Sequence, residues 1–143
     1  MRAITLHQPY AGLVALGLKR YETRTWGTSY RGEIAICAAA LWTPAVRENA
    51  LRLSQLANRR ELADPPLGVV VALAELTECR EMLLGAEEDV SGLEVAVGNW
   101  KAGNYAWRLE NVRDLAEPMP IKGRQVLFRL TPEQILEIRR RVA

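Results

Sequence analysis

Apolar and polar positions recur along this chain with two different periods, and the switches between them mark out its elements. Residues 2–6 (RAITL) form an apolar-rich run that predicts a first strand. The next segment, QPYAGLVALG, has helical spacing. Leu13, Val14 and Leu16 give an apolar stripe, Pro9 suits the first helical position and Gly17 suits a helix end. Residues 20–26 (RYETRTW) then alternate with period two, which sets Glu22, Arg24 and Trp26 on one face and Tyr21, Thr23 and Thr25 on the other. Residues 33–38 (EIAICA) read as the partner strand, with Gly27 and Gly32 bounding the loop between them.

Thr43-Pro44 opens a helix that runs to about Ala63, where Asp64-Pro65-Pro66 stops it. Its buried face is Val46, Ala50, Leu53 and Ala57. Residues 68–76 (GVVVALAEL) are almost wholly apolar, as a strand covered on both faces requires. Residues 81–98 are acidic and irregular, with a short helix expected at 80–84, and 99–104 are loop-like. Alternation resumes over 105–113 (YAWRLENVR), with Tyr105, Trp107 and Leu109 on one face. EPMPIKG, 117–123, is bounded by proline and glycine and reads as a loop; 124–130 (RQVLFRL) reads as a last strand. Thr131-Pro132-Glu133-Gln134 is a capping box opening a C-terminal helix whose stripe is Ile135, Ile138 and Val142.

About six short strands and three or four helices result, without the even alternation of a doubly wound parallel sheet. The expected fold class is therefore α+β: a small, mainly antiparallel β-barrel with helices packed on it, occupying residues 1–143 as one domain. With 143 residues, 49% of them hydrophobic and 25% charged, the chain has the composition of a soluble globular protein. No apolar run approaches a membrane span, and MRAITLHQPY lacks the apolar region of a signal peptide, so the expected location is cytoplasmic. Cys37 and Cys79 lie in apolar surroundings and are expected as buried thiols.

Charge distribution adds a functional hint. Residues 1–60 hold nine Lys/Arg against three Asp/Glu, residues 61–94 one against nine, and residues 95–143 nine against five. Both chain ends are basic and the segment between them is acidic. One basic face would attract a phosphate backbone, and the acidic 81–94 segment offers a surface for a protein partner; a solvated mixed surface is the alternative to both. Lysine occurs only at Lys19, Lys101 and Lys122 in a chain that otherwise uses arginine, which singles those ammonium groups out.

The usual catalytic signatures are missing. There is no Walker loop and no GxGxxG after a strand. A Ser/His/Asp triad would have to combine His7 with Ser29, Ser54 or Ser91, none in a recognisable motif. No spacing of His7 with carboxylates, and no cluster beyond Glu87-Glu88-Asp89, gives a metal-ligand set, so neither metal nor cofactor is expected. What stands out is GLKRYETR, residues 17–24, where four charges follow a helix-ending glycine into a strand. Glu22 and Arg24, at i and i+2, share a face and can pair. If that face lines a cleft, it offers cations for a phosphate or oxyanion and a carboxylate for proton transfer. Tyr10, Tyr21, Trp26 and Trp107 could supply a base-stacking wall; a structural ion pair with core aromatics is the alternative. Glu75, closing an apolar strand, either points inward to a partner such as Arg24 or sits exposed at the strand end.

GLKRYETR also resembles the G-x-K-x-x-E-x-R motif of ASCH domains, relatives of PUA domains, through Gly17, Lys19, Glu22 and Arg24. LHQPYAGLVALG is similar to the strand-to-helix entry of that family, with Gln8, Pro9 and Tyr10. YAWRLENVRDLAEPMPIKGRQVLFRL is similar to its closing strands with a P-x-P-x-K-G segment. The resemblance covers residues 3–130. It implies a PUA-like β-barrel whose cleft is lined by the motif, RNA or nucleotide ligands, and roles in RNA processing or as coactivator modules. Some relatives are amidohydrolases on acylated cytidine; in that shorter subgroup threonine stands where this chain has Glu22. Others are described as nucleases. The implied reading is an RNA- or nucleotide-binding domain with ligand-binding residues Gln8, Tyr10, Lys19, Arg24, Trp26, Trp107 and Lys122. The alternative is a small hydrolase of a modified nucleoside or RNA, with Lys19, Glu22 and Arg24 as catalytic residues.

Overall fold

The computed structural model describes residues 1–143. Six strands make one mixed sheet: β1 (Arg2–Leu6), β2 (Tyr21–Arg24), β3 (Gly32–Ala38), β4 (Val69–Glu81), β5 (Tyr105–Pro120) and β6 (Phe128–Arg129). The helices are α1 (Tyr10–Ala15), α2 (Pro44–Ala57), α3 (Gly92–Ala96) and α4 (Pro132–Arg141). The strand order is β2-β5-β4-β3-β1-β6, and every ladder is antiparallel except β1 with β3.

Apolar residues fill both faces of the central strands, which is why 68–76 has no polar alternation. Ile4, Leu6, Ile34, Ile36, Ala72, Ala74, Trp107 and Leu109 meet α1 on one face. Ala3, Ala35, Cys37, Val70, Leu73 and Phe128 meet Ile138 of α4 on the other. Burying these side chains removes them from water at about 1.5–3 kcal/mol each for the larger ones. A smaller cluster, Leu13, Leu53, Leu62 and Val97, ties α1 to α2 and to the 91–97 segment. No helix is long and apolar enough to cross a membrane.

Several elements depart from the sequence pattern for local reasons. The barrel does not close: β2 and β6 end the order and no ladder joins them. The sheet nevertheless curls, as Arg24 Nη2 of β2 donating to Thr5 O of β1 at 2.8 Å shows, with three strands lying between those two in the order. A seam is left there, which residues 121–127 cross. The partner of β2 is β5, not β3, whose neighbours are β1 and β4. α1 begins at Tyr10, with Pro9 at the cap position. α2 stops at Ala57, where Asn58 takes a left-handed conformation (φ 55°), and Arg60–Ala63 form a separate short turn of 3-10 helix. Residues 80–81 extend β4 rather than starting a helix; short helical turns appear later, at Ala86–Asp89 and in α3.

β5 continues through EPMP. Ile121 N donates to Gly68 O, so the N–H groups of odd-numbered residues here face β4 and the prolines at 118 and 120 present their missing donors to the opposite edge, which no strand pairs with there and where Arg141 Nη1 donates to Pro118 O. The last strand shrinks to Phe128–Arg129 because the preceding residues fold over the end of β1 instead. α4 starts as expected: Thr131 Oγ1 accepts from Gln134 N and the Gln134 side chain accepts from Thr131 N.

Candidate functional site

The seam between β2 and β1 opens into a cleft of about 690 Å³. Its walls come from the end of β1 with His7, Tyr10 of α1, Glu22–Arg24 of β2 and the loop Ile121–Gln125, with Ala39, Ala40 and Gly68 at the ends of β3 and β4 completing them. Gly123 lets that loop lie against β1, since a Cβ at 123 would come within 2.7 Å of Thr5 Cγ2. The loop is pinned there by Arg124 N donating to Thr5 Oγ1 at 3.1 Å.

Lys19, Glu22 and Arg24 form one contiguous chain of contacts, graded in exposure. Gly17, at φ 75°, ends α1 and reverses the chain into β2. Leu18 N and Lys19 N both donate back to Leu13 O at 3.0 Å. This closure turns the Lys19 side chain inward. Its Nζ donates to Val97 O at 2.8 Å, lies 3.8 Å from Glu22 Oε1 and stands 5.9 Å from the Tyr10 ring centroid. Lys19 is only 1% exposed. Burial pulls its pKa below 10.5, with Glu22 and Glu94 opposing the shift. Glu22 accepts from Thr23 N at 3.1 Å and from Arg24 Nε at 2.9 Å. Arg24 in turn reaches Thr5 O, so its guanidinium bridges the motif to β1.

The cleft therefore receives the carboxylate and the guanidinium of the motif, while the ammonium is sealed behind them. Its exposed cations are Lys122 and Arg124. Glu22 is the one carboxylate among its lining residues. Tyr10 lines the cleft, and its hydroxyl accepts from Asn49 Nδ2 at 3.0 Å.

Besides Lys19, three expected ligand-binding residues lie outside the cleft. Gln8 is buried and structural: its Oε1 accepts from Gly12 N and its Nε2 donates to Pro66 O, both at 2.9 Å. Trp107 is wholly buried, and its Nε1 donates to Trp26 O at 3.2 Å. Trp26 meets Trp107 edge-to-face and borders a separate cavity. Tyr21 packs edge-on against Trp100. The four aromatics do not make one stacking wall. Glu75 is half-buried, and its Oε1 accepts from Asn111 Nδ2, not from Arg24.

Sequence reasoning missed His7, Thr5 and Arg124 as cleft residues. Arg124 carried a signal, since it stands two residues from Lys122 in the same glycine-containing loop. It also missed Glu94, treated only as part of an acidic stretch. Glu94 is buried, accepts from Arg20 N, and leaves its Oε2 without a partner. Burial pushes its carboxyl above the ordinary range against the pull of Arg20 N–H and Lys19. Cys37 is buried, which pushes its thiol up to about 12, whereas Cys79 is only half-buried. No group of three or more His, Cys, Asp or Glu side chains is gathered as a metal site.

A family model described as the ASCH domain matches residues 4–119. Activating signal cointegrator 1 from Homo sapiens is 25% identical over 133 residues, covering 89% of this chain and 22% of that protein. The Mus musculus protein of the same name is 24% identical with the same coverage. The chain thus spans 22% of the length of these curated relatives. Among solved structures, ASCH from Zymomonas mobilis superposes with a TM-score of 0.63 at 16% identity, covering 99% of this chain and 95% of that one. A single-residue variant of that protein gives 0.60 at 15% identity. At such identities the likeness is one of fold.

Proposed function

The chain belongs to the ASCH domain family, and from that premise we propose that its seam cleft binds RNA or a nucleotide. The observation that carries this reading is the lining of the cleft: Arg24, Lys122 and Arg124 border about 690 Å³ whose single carboxylate, Glu22, is already paired with Arg24. That volume falls within the roughly 300–1,000 Å³ of small-ligand sites. Lys122 and Arg124 take phosphate oxygens, Tyr10 offers a ring to a base, and Glu22, held by Arg24, accepts from a base amino or ribose hydroxyl group. Lys19 supports Glu22 from behind and does not touch the ligand. A cytoplasmic setting belongs to the same reading.

Two phosphate contacts to a single strand give a slope of about −1.4 for log affinity against log salt. Fluorescence anisotropy with labelled octauridylate measures it. Replacing Lys122 and Arg124 together with glutamate should abolish binding at moderate salt. Salt-insensitive binding, or binding unchanged in that double variant, refutes the assignment.

A second reading, hydrolysis of a modified nucleoside or RNA, draws on the placement of the Glu22 carboxylate in the cleft beside Arg24. Glu22 would be the general base, and Arg24 would stabilise developing negative charge, with Lys19 acting only through Glu22. General-base help is worth about 10²–10⁴-fold. Turnover of acylated cytidine or RNA that survives Glu22→Gln rules out this role.

A further inference from the structure

A second cavity, of about 670 Å³, opens on the other side of the loop that crosses the seam. It is lined by Arg2, Trp26, Thr28, Ser29, Tyr30 and the apolar Val126-Leu127 pair, with no acidic side chain. Trp26 and Tyr30 line it and are half-buried, so neither is wholly taken up by the core. The Arg2 guanidinium lies 5.9 Å from the Tyr30 ring centroid. Aromatic rings with a guanidinium beside them and hydroxyls at the rim suit an unpaired nucleobase, whose flat face stacks and whose phosphate meets the cation.

The two cavities share a wall. Gln125 lines the cleft and its chain neighbour Val126 lines the second cavity. On β2 and just beyond it, Arg24 borders one and Trp26 the other. On β1 they are Thr5 and Arg2, about 10 Å apart at strand rise. A single nucleotide in the cleft cannot also fill the second cavity, whereas a strand following Lys122 and Arg124 along the loop reaches it. We infer that the Arg2–Trp26–Tyr30 cavity is a stacking subsite for a further base of single-stranded RNA. This rests on the reading of the cleft as a nucleic-acid site.

Octauridylate and uridine monophosphate separate the two claims. Ser29→Glu places a carboxylate at the exposed mouth without disturbing packing, and Trp26→Leu removes the ring while keeping an apolar filler. Each should weaken octauridylate binding by about 5- to 150-fold, the span expected for loss of one stacked base. Each should leave uridine monophosphate binding as in the parent. Circular dichroism confirms that Trp26→Leu is folded; Ser29→Glu carries the test if it is not. Octauridylate binding that is lost in the Lys122/Arg124 double variant but unaltered by Ser29→Glu overturns the subsite alone. Parent protein that binds neither probe overturns the cleft reading and the subsite with it.

Discussion

Replacing Lys19 with methionine distinguishes a structural role for the motif lysine from direct ligand contact. Methionine approximates the length of the lysine stem and removes the ammonium. Three consequences follow from the geometry. Val97 O loses a 2.8 Å donor inside the protein, a loss worth about 1–3 kcal/mol for a buried acceptor. Glu22 loses a cation at 3.8 Å but keeps Arg24 at 2.9 Å, so the 3–5 kcal/mol typical of an orphaned buried charge does not apply in full. Against these losses, the cost of burying the ammonium, visible in its lowered pKa, is relieved. The balance is a destabilisation of about 1–3 kcal/mol, or a fall in Tm of about 3–12 °C for a chain of this size.

The sign of the pH dependence is also fixed. Lys19 titrates below 10.5 in the folded protein, so between its folded pKa and 10.5 the unfolded chain binds more protons and parent stability gains with rising pH. Lys19→Met lacks this titration, and its deficit should widen over that alkaline window. Urea titration followed by circular dichroism gives the stabilities, and octauridylate anisotropy gives the affinity of the folded protein, which should be retained. A Lys19→Met protein as stable as its parent but unable to bind would refute the sealed-strut account. It would put the ammonium on the ligand.

Three further substitutions probe separate links. Glu33 is held below its ordinary carboxylate range by hydrogen bonds from Arg139 and then Arg113, so its stabilisation is present above 4.5 and is lost as pH falls through the folded value. The stability deficit of Glu33→Gln should therefore shrink in acid, and a deficit constant with pH contradicts the pairing. Glu94 is raised by burial, so the folded state holds its proton longer and parent stability declines as pH rises from 4.5 to the folded value. Glu94→Gln should gain relative to parent across that window, and the opposite slope in denaturation curves would overturn the burial argument. Gly123→Ala forces a methyl group to within 2.7 Å of Thr5 and should lift the loop from β1. Octauridylate affinity should fall more than stability does, and unchanged affinity would show that the loop is not the cleft wall.

Patterning carried most of the fold because both sheet faces are apolar and the capping chemistry is local. The 68–76 run, the Thr131 capping box and the Gly17 helix end all stand where their residue types require. Partner choice was not legible in the same way. β2 and β3 are neighbours in sequence, yet β2 joins β5 across more than eighty residues, a pairing that alternation cannot encode. Prolines at 118 and 120 looked like strand breakers because the edge of β5 that needs no strand partner exists only in the assembled sheet.

The motif was legible as a cluster but not as a division of labour. Glu22 and Arg24 lie within β2, where alternation fixes a common face, and the structure keeps them hydrogen-bonded. Lys19 precedes the strand, in the closure of α1, so no period governs its direction. Its direction is set by a segment remote in sequence. Val97 O accepts from its ammonium, and Glu94, which holds Arg20 N, adds a buried carboxylate close enough to raise the affinity of Lys19 for its proton. The acidic 81–94 stretch is therefore not wholly a solvated flank, since its last carboxylate folds back behind the motif. An ammonium enclosed by a carbonyl and two carboxylates has little field left for a phosphate in the cleft. Attraction for a polyanion falls instead to Lys122 and Arg124, whose loop is exposed and which make no ion pair within the chain, the Arg124 guanidinium lying 5.7 Å from the Phe128 ring centroid.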